Sequence, residues 1–196
     1  MVRRIVDVIR AALDHRRFSW VSEEREPTQA ERYAAVLASA ALMANTRTGT
    51  LRRNQSKSNQ EETVRINLLN LGLREVPRRE IPNLTAAPAV GEFSLESKLG
   101  DRKADLIIRL WDGRIMPIEC KVSNSSVNSV KRLNNDAAAK AEHWLEDFGR
   151  RQIVPVAVLG GVYEVHNLRS AQDRGLTLFW SHNLAALTEW IEATRS

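Results

Sequence analysis

The sequence predicts a mixed α/β fold in which a central mixed sheet is flanked by helices and preceded by a helical section. Three observations lead there. Residues 103–122 alternate as two strands around Trp111, Asp112 and Gly113, a β-hairpin pattern. Stretches with helical apolar spacing stand on either side, near 58–72 and 129–148. A short apolar run at 153–159, stopped by Gly160 and Gly161, reads as a buried strand. At 196 residues the chain can bury one sizeable core, expected over 58–196, with 1–57 as a helical section and basic linker.

Each element has a local cause. A helix near 2–14 is expected to bury Ile5, Val8, Ile9 and Leu13. A second helix starts at Thr28, where Thr28 and Glu31 have capping-box spacing just after Pro27, and runs to about Asn45. From 45 to 60 the chain carries Arg47, Arg52, Arg53 and Lys57 among Thr, Ser, Asn and Gln, with no acid. That composition suits phosphate contacts, and it equally suits a solvated linker. Ser58 and Glu61 repeat the capping-box spacing and open a third helix through Val64, Leu68 and Leu71 to Gly72. A short strand at 73–76 and an irregular connection over 77–91, with Pro77, Pro82, Pro88 and Gly91, lead to the hairpin. After it come a helix over 129–148, the strand at 153–159, a strand near 176–180 and a helix over 183–193.

Composition removes several classes of function. No apolar run approaches the roughly 18 residues that a membrane span needs, so no membrane partner is expected. The basic, apolar N-terminus is interrupted by Asp7, Arg10 and Asp14 and reads as an amphipathic helix, not a targeting peptide. Cys120 is the single cysteine, which excludes an intrachain disulfide and cysteine zinc sites and suggests a reducing, intracellular compartment. The net charge of +5 and pI near 9.8 suit solubility as well as nucleic-acid binding.

The hairpin carries the chemistry. With a two-residue loop, Asp112-Gly113, Asp105 would lie opposite Cys120 and apart from Glu119 and Lys121. With a three-residue loop closed by Gly113 at positive φ, Leu110 pairs with Arg114 and Asp105 falls opposite Glu119. This second register also gathers Leu106, Ile108, Met116, Ile118, Cys120 and Val122 on one apolar face. Asp105, Glu119 and Lys121 then share the other face. Cross-strand neighbours stand about 4.5–5.5 Å apart at Cβ, close enough for two carboxylates to share one divalent cation. Lys121 lies roughly 7 Å along the strand, within reach of a water or phosphate beside that cation. Cys120 points to the core in either register, and His143, His166 and His182 lack metal spacing.

Asp105, a short hairpin and then Glu119-Cys120-Lys121 resemble the PD-(D/E)xK nuclease signature. The text ADLIIRLWDGRIMPIECKVSNSSVNSVKRLNND resembles type II restriction endonucleases of the XamI group. Ala104 stands where the motif name has proline, which is not a ligand. The resemblance, over roughly 58–160, implies a PD-(D/E)xK restriction-endonuclease-like αβββαβ core. It implies Mg²⁺ held by Asp105, Glu119 and the Cys120 backbone carbonyl, with Lys121 orienting or helping to deprotonate the attacking water. A glutamate of the preceding helix, Glu62 or second to it Glu61, would join them.

The polar run after Lys121 supplies Ser123, Asn124, Ser125, Ser126 and Asn128, then Lys131 and Arg132, and with Arg52 and Arg53 these are the candidate DNA contacts. The function so implied is a Mg²⁺-dependent type II restriction endonuclease in the prokaryotic cytoplasm, acting on double-stranded DNA as a homodimer. A catalytic, nicking subunit in a heteromer with a separate specificity subunit, a repair nuclease of the same superfamily and a non-catalytic DNA-binding module are the alternatives.

Overall fold

The structure is a computed structural model that describes residues 2–123 and 126–195. The chain divides into two compact units, Met1–Arg53 and Asn54–Ser196.

In the first unit α1 spans Val2–Ala12 and α2 is the single turn Ser19–Ser22. The expectation that α1 buries its apolar stripe is overturned, since Ile5, Val8 and Ile9 are all more than half exposed. The helix α3 then runs without a break over Gln29–Asn70, about 63 Å at the usual rise. Its start follows the capping box: Thr28 N donates to Glu31 Oε2 at 2.8 Å and Glu31 N to Thr28 Oγ1 at 3.2 Å.

The basic stretch is therefore helical, not a linker, and Ser58 and Glu61 lie inside a helix instead of opening one. The reason is local. Nothing from Gln29 to Asn70 is proline, and three threonines of a type that usually competes with the helix bond back onto it. Thr46 donates to Leu42 O at 2.9 Å, Thr50 to Thr46 O at 3.0 Å and Thr63 to Asn59 O at 2.7 Å. The end is legible: Leu73 N bonds Leu68 O and Gly72 N bonds Leu69 O, the paired closure of a Schellman motif.

The second unit is built on two sheets. The chain runs through β1 (Arg74–Val76), β2 (Glu80–Ile81), β3 (Glu92–Leu95), β4 (Lys98–Leu99), β5 (Arg102–Lys103), β6 (Leu106–Arg109) and β7 (Ile115–Ser123). It continues in α4 (Ser126–Arg132), a π turn (Leu133–Ala138) and α5 (Ala139–Phe148) as one helix, then β8 (Val156–Gly161), α6 (Val165–Asp173), β9 (Thr177–Trp180) and α7 (Ala185–Glu192). The main sheet has the order β1-β3-β6-β7-β8-β9, antiparallel at β3-β6 and β6-β7 and parallel elsewhere. The strands β2, β4 and β5 form a small second sheet. The strand β3, the small sheet and α6 are absent from the expectation above, because each is short and lacks a long apolar period.

Both faces of the main sheet are covered. Val64 and Leu68 of α3, with Leu187 and Ile191 of α7, pack on Leu106, Ile108, Met116, Ile118 and Cys120. On the opposite face Trp144 and Leu145 cover Ile107 and Ile115, while Leu133, Ala137 and Ala141 cover Ala157 and Leu159. Cys120 is 1% exposed and belongs to the first core, as its alternation predicts. Among the described residues no helix is long and apolar enough to cross a membrane.

Candidate active site

The hairpin adopts the three-residue loop. Leu110 N donates to Arg114 O at 2.9 Å, Gly113 has φ +86°, and the strands pair Ile108 with Met116 and Leu106 with Ile118. Gly113 is required there because the closing residue of such a loop sits in the left-handed region. Asp105 N donates to Ile118 O at 3.1 Å, although Ile118 already faces Leu106. Two residues thus oppose one, as at a β-bulge, which re-aims the side chain that it carries.

The bulge corrects the simplest picture of Asp105 and Glu119 as flush neighbours on one face. Asp105 Oδ2 accepts from Cys120 N–H at 2.8 Å, and Asp105 Oδ1 lies 3.1 Å from Lys57 Nζ of α3. Glu119 is turned beneath α5 with no exposure, where Lys121 Nζ stands 2.6 Å and Lys140 Nζ 2.9 Å from its Oε2. Lys121, itself 9% exposed, reaches Asp136 Oδ2 at 2.7 Å. Tyr163 adds a hydroxyl bond of 2.9 Å to the carbonyl of Lys121, which fixes the backbone there.

These contacts decide the charges. Burial pushes the Glu119 carboxyl up, and Asp105 adds to the rise, while Lys121 and Lys140 pull the other way. Burial opposes the charge of Lys121, yet Glu119 and Asp136 more than offset it and hold its pKa above the ordinary lysine value. The two carboxylates hold Lys121 as an ammonium, a form that can orient a water or stabilise negative charge.

Of the two glutamates of the preceding helix, Glu61 shares Lys57 with Asp105, and Glu62 does not. Glu62 is 55% exposed at its side chain and pairs with Arg65 at 3.0 Å. Glu61 is bound at 3.1 Å by Lys57, the same ammonium that binds Asp105, and burial lifts its carboxyl above the ordinary value. With 3.6 residues per turn, Glu61 lies on the side of α3 that carries Lys57, Val64 and Leu68.

The family model for the XamI restriction endonuclease matches residues 1–180 of this chain. The chain belongs to the XamI restriction endonuclease family. A curated relative in sequence, a protein named type II restriction enzyme XamI from Xanthomonas campestris pv. amaranthicola, is 49% identical over 154 residues. That match takes in 79% of this chain and 56% of the relative, so the chain spans little more than half of the relative's length. Protein VC1899 from Vibrio cholerae aligns with 56% of this chain and 30% of its own, at a TM-score of 0.39 and 22% identity.

In this XamI-family chain the groups by the bulge that could hold a metal are oxygens, the carboxylates of Asp105 and Glu119 and the carbonyl of Cys120, while the Cys120 N–H donates to Asp105. Hard oxygen donors suit Mg²⁺, which typically takes one or two carboxylates and completes its shell with water and substrate phosphate. Among the described residues no three His, Cys, Asp or Glu side chains converge as a cage, and no histidine takes part in the contacts above.

The candidate DNA contacts divide. Ser123 is 1% exposed and its carbonyl accepts from Val162 N at 3.0 Å, so it lies below the surface. Arg132 donates to the carbonyl of Val122 and is engaged in closing the end of β7. Lys131 is exposed on the last turn of α4. Asn124 and Ser125 lie outside the described residues, as do the side chains of Ser126, Asn128, Arg52 and Arg53.

Sequence reading missed Lys57, Asp136 and Lys140. Lys57 falls in the basic stretch that reads equally as phosphate contacts or a linker, and the acid-to-lysine spacing of four at 136 and 140 is that of an ordinary exposed pair. The one available signal was that Lys140 stands among Ala137, Ala138, Ala139 and Ala141, a small-residue face meant for close packing.

Proposed function

We propose that this chain is a Mg²⁺-dependent type II restriction endonuclease that hydrolyses phosphodiester bonds of double-stranded DNA at a specific sequence. The observation that carries the reading is the grouping of Asp105, Glu119 and Lys121 at the open end of the hairpin in a chain of the XamI family.

In this reading Asp105, Glu119 and the backbone carbonyl of Cys120 hold the metal, with Glu61 beside them. When bound, Mg²⁺ supplies stabilisation of charge developing on the phosphate and on the leaving oxygen. Lys121 presents its ammonium to the attacking water or the scissile phosphate, while Glu119 and Asp136 keep it charged and in place. Cutting both strands of a symmetric site requires two such centres, hence a homodimer. Such an enzyme works in the prokaryotic cytoplasm, where incoming DNA is met.

A second reading, a catalytic subunit that nicks DNA and takes its specificity from another chain, is favoured by the burial of Ser123 and the engagement of Arg132. Fewer side chains of the polar run are then left to read bases.

Purified protein and a Lys121→Ala variant, incubated with plasmid and long linear DNA in Mg²⁺ or EDTA, separate these readings on a gel. Discrete Mg²⁺-dependent fragments are expected, reduced roughly 100-fold or more by the substitution. Nicked circles alone support the second reading. Absence of cleavage on every DNA tested leaves a binding module.

A further inference from the structure

Two residues that no motif marks, Asp136 and Lys140, complete the charge arrangement around Glu119 and Lys121. Both come from the helix after the hairpin, where the π turn of Leu133–Ala138 joins α4 to α5. A π turn fits one extra residue into a turn, so later positions are rotated by about 100° relative to an uninterrupted helix. Such turns are rare and recur at functional sites. Here the turn lets Ala137, Ala138, Ala141 and Trp144 pack inward with no exposure, while Asp136 and Lys140 lean onto two residues of β7. Lys140 Nζ lies 2.9 Å from each carboxylate oxygen of Glu119 and 3.0 Å from the carbonyl of Lys103. Asp136 Oδ2 lies 2.7 Å from Lys121 Nζ, and its Oδ1 is 3.7 Å from Lys140 Nζ.

We propose that Asp136 and Lys140 are positioning residues that set the charge and orientation of the Glu119–Lys121 pair, Lys140 as the counter-ion that a divalent cation displaces from Glu119, Asp136 as the anchor of Lys121. This rests on the metal-dependent reading above. Two adjoining sets, Lys57 with Glu61 and Asp105 and Lys121 and Lys140 with Glu119 and Asp136, together hold four carboxylates against three ammoniums, which leaves one net negative charge. Neutralising Lys140 deepens it to two, the complement of a divalent ion. Neutralising Asp136 brings it to zero. The two changes therefore drive divalent affinity in opposite directions, which a loss of packing does not do.

The test is Mn²⁺ binding without DNA, followed through the free-ion electron paramagnetic resonance signal, with circular dichroism as the folding control. Lys140→Gln is expected to tighten Mn²⁺ binding and Asp136→Asn to weaken it, each by about tenfold. The charge-preserving Lys140→Arg and Asp136→Glu are expected to stay within about twofold of the parent. Shifts in one direction only, no shifts, or charge-preserving variants that behave like the neutral ones overturn the inference while the metal reading stands. If the parent protein itself binds no Mn²⁺, the metal reading fails and the inference with it.

Discussion

At the scale of single residues, the charges around β7 are arranged in two groups that share no lysine: Lys57 with Glu61 and Asp105, and Lys121 and Lys140 with Glu119 and Asp136. The first group separates two adjacent glutamates. Glu61→Gln removes a carboxylate held by the same ammonium as Asp105 and is expected to slow DNA cleavage about tenfold or more. Glu62→Gln removes an exposed partner of Arg65 and should change cleavage less than about twofold and stability by about 0.5 kcal/mol or less. Equal effects of the two in a single-turnover assay would show that α3 presents its acids differently. Asp105, Glu119 and Lys121 were legible in the sequence because a hairpin is a local object: one turn and the alternation of side chains fix which residues are brought together. Lys57, Asp136 and Lys140 were not, because they reach the hairpin from 48, 15 and 21 residues away by packing, and no local rule places them.

At the scale of elements, the strands that carry the site are fixed by close backbone approach. Gly161 ends β8 with φ +96°, and a Cβ placed there would stand 2.0 Å from the carbonyl oxygen of Ser123 at the end of β7. Gly161→Ala is expected to destabilise the protein by about 2 kcal/mol or more, from the backbone conformation and the clash together. Gly49 is the contrasting case, inside α3 with nothing within 4 Å of an added Cβ. Gly49→Ala should stabilise by about 0.5–1 kcal/mol. Thermal melts of the two variants check both signs. The same contrast explains what was legible here. The ends of α3 were, since Thr28 with Glu31 and Gly72 are chemical stop and start signals. Its continuity was not, since Thr46 and Thr50, which argue for a loop, are satisfied by bonds to the helix that they interrupt in sequence.

At the scale of the whole molecule, the order of the strands governs when the site exists. The pairs β3-β6 and β6-β7 are antiparallel and close over few residues, so they can form early. The parallel ladder of β7 with β8 waits for the intervening helix, which also brings Asp136 and Lys140. Pulsed hydrogen exchange during refolding is expected to protect the amides of 106–109, Ile115, Met116 and Ile118 before those of 156–159, and the reverse order would contradict this. In a chain still emerging from the ribosome, Asp105 and Glu119 are thus made after Lys57 but before Lys140, the lysine that answers Glu119 from the helix. The contacts around Glu119 and Lys121 are complete only after synthesis has passed β8 and Tyr163, whose hydroxyl bonds the carbonyl of Lys121.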